Sequence, residues 1–335
     1  MRNSLKLLLA ACFVVVVFLG SMMCGRYPIG FEDILTLLSS DPSCLKFQEP
    51  AVNVLCHIRL PRIFLALLVG ASLSMSGTLL QGMFRNPLVS PDILGVTSGC
   101  CFGAALGILY PGTSPLLIQL LAFSFGILAV ILTYTIASLS RGQRVVMLVL
   151  AGSVISAFFF AALSFLKYIA DPYEQLPAIV FWIMGGFHRA SWDMIRGLLF
   201  LLIPCMAFLI LTSWRLNVLS LGDEEAASLG VNVKLLRPLL IIVATLMTSC
   251  CVSVSGTVSW VGLVIPHIAR LIAGVNHDTS MPMSMFLGSG FILLVDDLAR
   301  TMTAAEIPIS ILTSAIGAPF FAYLLIKEGQ KSVWK

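Results

Sequence analysis

The chain has 335 residues, of which 59% are hydrophobic and only 11% charged, with a formal net charge of +4. Soluble domains carry about 25% charged residues, so a soluble globular fold is excluded, and a mean hydropathy of +1.00 points to repeated membrane crossing. Closed barrels show only weak alternating patterns, whereas this chain has unbroken apolar runs of the roughly 20 residues that span a bilayer as a helix. The expected class is an all-α polytopic membrane protein.

In chain order, the stretch "LKLLLAACFVVVVFL" at 5–19 has the look of a signal peptide. Its apolar run is too short before Cys12 for a lipoprotein leader and continues beyond it, so a retained first span over about 6–24 is expected. A polar loop to about 61 follows, in which Cys44 and Cys56 could pair if the loop is extracytoplasmic. Nine further spans are expected at about 62–84, 93–110, 115–138, 145–166, 192–213, 235–256, 259–273, 282–300 and 306–326. The eighth is short and carries Pro266, which should bend or break it. The apolar stretch 177–190 is only loop-length and suits a short interfacial helix.

Lys and Arg in the loops set orientation. With the N-terminus inside, twelve of the 20 basic residues fall on the cytoplasmic side, and an even number of spans returns the C-terminus there too. The outer side still receives Arg59, Arg62, Arg189, Arg196 and Arg300 among others, more than the rule favours. "SGT" occurs at 76–78 and again at 255–257, in spans that would run in opposite directions, a faint sign of an inverted repeat.

Several polar residues have ordinary structural explanations. Arg85, Asn86 and Pro87 read as a helix stop, and Ser90, Pro91 and Asp92 as the start of span three. Asp296 and Arg300 are four apart on one helix and are placed to pair, with a role on a substrate path as the alternative. Glu306 and Pro308 suit the opening of span ten. Gly95, Gly99, Gly103 and Gly107 recur every fourth residue and would share a packing face. His267 lacks partners at ligand spacing, so no metal site is expected. No phosphate-binding Gly-rich loop occurs, so ATP is not expected to be hydrolysed in this chain.

The segment "LGDEEAASLG" at 221–230 has the only run of three acids. Gly222 can open a turn, and Asp223, Glu224 and Glu225 suit the positive end of a helix. Ala226, Ala227, Ser228 and Leu229 continue it, and Gly230 is a good left-handed terminator. A two-turn cytoplasmic helix between spans six and seven results. It is either a solvated loop helix or a docking peg for a cytoplasmic partner.

"EAASLG" resembles the EAA loop of ABC importer permeases, with one residue fewer before the final glycine. The long segments "RLPRIFLALLVGASLSMSGTLLQGMFRNPLVSPDILGVTSG" (59–99), "FWIMGGF" (181–187), "SGTVSWVGLVIPHIARL" (255–271) and "AAEIPISILTSAIGAPFFAYLL" (304–325) resemble FecCD-type permeases, over about residues 5–327. These are membrane subunits of importers for iron-siderophores, haem and vitamin B12. The resemblance implies a single permease domain over 1–335 of about ten transmembrane helices, like the vitamin B12 importer permease (type II ABC importer). It implies a cytoplasmic coupling-helix loop at 214–234, with Gly222, Asp223, Glu224, Glu225, Ala226, Ala227, Leu229 and Gly230 engaging the ATPase. It also implies a homodimer, two ATPase subunits, and a periplasmic or lipid-anchored binding protein that docks at Arg59 and Arg300.

The resulting expectation is a multi-pass inner-membrane transport subunit, with no cofactor and no nucleic-acid partner, that moves a metal chelate by alternating access. Cargo stays open among ferric siderophore, haem, cobalamin and an oxyanion such as molybdate. The competing class is an ion-coupled secondary transporter, which would need mid-membrane acids. Spans two, five and seven have none.

Overall fold

The computed structural model describes residues 2–25, 27, 30, 50–110, 112–140 and 144–332, and no strand occurs among them. The long helices are α1 (Arg2–Met23), α2 (Leu60–Phe84), α4 (Pro115–Leu139), α5 (Arg144–Ile169), α7 (Trp192–Leu211), α10 (Val233–Ser255), α12 (His277–Thr301) and α13 (Ile309–Ser332). Shorter helices are α3 (Val96–Leu109), α6 (Gln175–Met184), α8 (Ser213–Leu219), α9 (Asp223–Ser228) and α11 (Val261–Ala273). Among the described residues, seven helices are long and apolar enough to cross a membrane. With the shorter apolar α3 and α11 and the apolar part of α13, Ile309–Leu324, all ten expected spans are at least in part helical. Pro266 lies inside α11 without ending it. The expected loop before span two is in part helix, since Pro50–Asn53 and a π-helical turn, Val54–Arg59, lead directly into α2. The Cys44–Cys56 pairing left open above involves Cys44, which lies outside the described residues.

Helix α2 is the hub. In its most apolar stretch 83% of residues are buried, against 22% for α1. It packs against α12 above all, and also against α10, α11 and α7. Lipid gives helices no hydrophobic reason to associate, so close approach of small residues supplies the contact. A Cβ at Gly70 would overlap the carbonyl oxygen of Gly288 in α12, and one at Gly77 that of Gly262 in α11. Hydroxyls bridge the same interface: Thr78 Oγ1 donates to Ser284 Oγ at 2.7 Å and Ser289 Oγ to the Leu67 carbonyl at 3.0 Å.

Helix α3 docks on α4 in the same way. Gly99, Gly103 and Gly107 face α4, with Phe125, Leu121 and Ile118 against them. Gly95 does not share that face. It closes a tight 3-10 turn over Pro91–Leu94 at φ +82 and faces α5. Span three therefore begins after that turn, at Val96.

The two "SGT" copies take different conformations. Ser76, Gly77 and Thr78 lie within α2, whereas Ser255 ends α10 and Gly256 turns out at φ +69. There the "FWIMGGF" and "SGTVSW" motifs meet. Gly186 N donates to the Ser255 carbonyl at 2.8 Å, Thr257 Oγ1 to the Ile183 carbonyl at 2.6 Å, and Ile309 N to the Gly185 carbonyl at 3.2 Å. A side chain at Gly256 would collide with the Trp182 carbonyl. The short helix α6 is thus bonded to the end of α10 and the start of α13.

Candidate functional site: the acidic segment and the buried charge clusters

The acidic segment forms α9, six residues long. Gly222 sits at φ +145 and Gly230 at φ +84, backbone angles that side chains resist. After Ser228 the chain stops with two overlapping bonds: Gly230 N donates to the Ala227 carbonyl and Val231 N to the Ala226 carbonyl, both at 3.0 Å. This is the Schellman arrangement that a left-handed glycine permits.

The acids and alanines of α9 have divided roles. Asp223 turns to the chain: Arg237 Nη1 donates to its Oδ2 at 3.0 Å and Arg237 Nη2 to its Oδ1 at 2.6 Å. Ala226 is fully buried, while Glu224, Ala227, Ser228 and Leu229 are exposed, Leu229 by 61%. The carboxylate of Glu225 folds over Gly222, filling the space that a side chain there would need. Arg85 Nη1 lies 3.7 Å from the same point. Arg85 itself caps α2 in a left-handed conformation at φ +53, and Asn86 Oδ1 accepts from Leu88 N at 2.9 Å, the helix stop expected there.

Two neighbouring charge clusters lie where the start of α2 meets the end of α12. Arg62 is 7% exposed and Asp296 fully buried. Arg62 Nε donates to Asp296 Oδ2 and Nη2 to Oδ1, both at 2.8 Å, and Nη1 donates to Glu306 Oε1 at 2.8 Å. The expected Asp296–Arg300 pair is therefore not made: Asp296 points to α2, and Arg300 instead pairs with Asp297. Glu306 likewise does not open a helix, since α13 starts at Ile309. Its carboxylate serves Arg62.

Arg59 and Arg300 come together around the C-terminal end of α1. Arg59 Nη1 donates to the Met22 carbonyl at 2.6 Å and Nη2 to the Tyr27 carbonyl at 2.9 Å. Arg300 Nη2 donates to the Ser21 carbonyl at 2.9 Å and to Ser21 Oγ at 2.6 Å. They are only 3% and 6% exposed, so in this chain both guanidiniums face protein. Nearby, His188 lies between α6 and α7, and burial, helped by the Arg189 guanidinium, lowers its pKa below the usual histidine value. No group of residues suited to hold a metal ion occurs among those described.

Sequence reading missed two arginines. Arg62 stood only as one of several outer basic residues, and Arg237 was not singled out among the twelve inner ones. The signal for Arg62 was that Asp296, Asp297 and Glu306 lie in apolar surroundings that tolerate acids only when paired; Arg237, whose partner Asp223 lies in the polar acidic segment, had no such signal.

Comparison with known proteins places these features in a family. The model of the FecCD transport family matches residues 13–327. The molybdate import system permease protein MolB of Haemophilus influenzae is 43% identical over 94% of this chain and 93% of its own length. The probable iron chelatin transport system permease protein of Helicobacter pylori is 42% identical over 82% of each. Among solved structures, an ABC transporter assigned to the metal-chelate type, in an inward-facing conformation, superposes with a TM-score of 0.86 at 41% identity, covering 96% of this chain and 98% of that one. With its all-α fold and a family match over residues 13–327, this chain belongs to the FecCD transport family of ABC permease subunits.

Proposed function

We propose that this chain is the inner-membrane permease of an ATP-driven importer for a metal chelate such as a ferric siderophore, haem or cobalamin. It works as a homodimer, with two ATPase subunits on the cytoplasmic side, an extracytoplasmic binding protein opposite, and both termini in the cytoplasm. The observation that carries the reading is α9: a helix bounded by two glycines, with Glu224, Ala227 and Leu229 exposed on one side and Ala226 buried on the other. A solvated loop helix would not need an exposed leucine beside an alanine. A peg inserted into an ATPase cleft would.

The charge arrangement supports a chelate as cargo. Arg59, Arg62 and Arg300 have their guanidiniums turned to carbonyls and carboxylates of the chain itself. A chelate arrives with its metal charge already shielded and asks little of the walls, whereas a bare oxyanion asks for donors. The second reading, molybdate, is favoured by the 43% identity to a molybdate permease.

Uptake into vesicles holding this chain, its ATPase and the binding protein tests both. Labelled ferric siderophore, haem, cobalamin and molybdate are supplied in turn, with ATP inside or with an ion gradient alone. ATP-dependent uptake of a chelate that survives a protonophore is expected. Uptake of molybdate only selects the second reading, and gradient-driven uptake without ATP overturns both.

A further inference from the structure

We propose that Arg237 is the strut through which movement of α9 reaches the membrane helices, a positioning role that rests on α9 being the ATPase-facing peg. The covalent links to α9 are poorly suited to that task. Each end passes through a glycine in a backbone region open mainly to glycine, at φ +145 and φ +84, so a pull on the peg can be absorbed by rotation at either hinge. What ties α9 to its surroundings is then non-covalent: the bonds of Gly230 and Val231 to its last turn, burial of Ala226 and the Arg237–Asp223 pair.

The pair has the form of a strut. Two parallel bonds from a planar guanidinium to one carboxylate fix orientation as well as distance. The side chain of Arg237 is 10% exposed and that of Asp223 53%, so one end is set in the bundle and the other in α9. Both terminal nitrogens of Arg237 serve Asp223, and its Nε has no other acceptor. Arg237 stands in the second turn of α10, and α10 packs on the hub α2. Displacement of Asp223 therefore acts on a long helix that reaches the "SGT" turn at 255–257 and, through it, α6 and α13. Asp223 accordingly divides from Glu224 and Leu229: they meet the ATPase, and it passes the movement on.

The test uses the full importer in lipid, with nucleotide added or withheld, and follows hydrogen exchange in residues 223–230 and 238–255 together with retention of the ATPase on the purified permease. In the wild type both segments should respond to ATP. In Arg237→Ala and in Asp223→Asn, which keeps the shape of the side chain, the ATPase should be retained and 223–230 should still respond. The response of 238–255 should be lost, with Arg237→Lys intermediate because a point charge does not fix orientation. The exchanged pair, Asp223→Arg with Arg237→Asp, should recover it. An unchanged response of 238–255 in Asp223→Asn and Arg237→Ala overturns the strut and leaves the peg standing. So does an exchanged pair that folds, retains the ATPase and fails to recover the response. If instead Leu229→Asp retains the ATPase as fully as wild type, the peg reading fails, and the strut with it. Should Arg237→Ala not fold, Asp223→Asn decides alone, because its side chain is half-exposed and replaced by an isostere.

Discussion

Asp296 gives its carboxylate to Arg62, 234 positions away on α2, and not to Arg300 one turn along its own helix. The carboxylate has no exposure, and the arginine also holds Glu306, so one guanidinium ties α2, α12 and the lead into α13. Removing one partner from such a pair strands a buried charge, which costs about 3–5 kcal/mol, whereas replacing both by apolar groups can be neutral. Arg62→Ala should thus lower thermal stability in detergent sharply, and Arg62→Met combined with Asp296→Leu should regain most of it. A single variant as stable as wild type would remove the pair from the account of the fold.

Glycine contacts at the hub predict a steep size dependence. Gly77 lies against the Gly262 carbonyl with no room for a Cβ, whereas nothing lies within 4 Å of the place a Cβ would take at Gly197. Gly77→Leu should prevent α11 from seating on α2 and yield aggregated or degraded protein on size-exclusion chromatography. Gly197→Leu should give a normal profile.

Arg59 and Arg300 can be asked whether they serve a binding protein. If docking carboxylates take over from the Met22, Tyr27 and Ser21 acceptors, Arg59→Glu and Arg300→Glu should weaken binding-protein affinity by about tenfold or more, since each places like charge against like. A purely structural role predicts a lower melting temperature with affinity intact in whatever protein remains folded.

Orientation is open to a direct reporter. A fluorescent protein fused after Lys335 should fold and fluoresce if the C-terminus is cytoplasmic, while alkaline phosphatase at the same place should be inactive. The reverse pattern would invert the topology and put α9 outside.

His188 gives a pH signature. Its pKa is lowered on folding by burial, with the Arg189 guanidinium adding to the effect, so the folded state disfavours protonation. The stability it contributes is complete above the ordinary value of 6.5 and is lost as pH falls from there toward the lowered folded value. Melting temperature should therefore fall less between neutral and mildly acidic pH in His188→Asn than in wild type. Parallel curves would count against a His188 kept neutral by partial desolvation.

The sequence by itself determined the spans, because in lipid a helix must satisfy its own backbone and its length is written in the apolar run. It determined α9 as well, since Gly222 and Gly230 act locally and the acids between them suit a first turn. Even the helix stop at Arg85 is local. What the tertiary structure decided was partnership. Asp296 had an arginine four residues away and took one from another helix, because small-residue contacts between α2 and α12 bring Arg62 onto its face. Asp223, Glu224 and Glu225 read alike in sequence, yet only Asp223 is bound to Arg237, because α9 lies against α10 with one side and is open on the other. Local rules fix where a helix begins and ends. Which charges meet depends on how whole helices pack, and that is summed over the bundle.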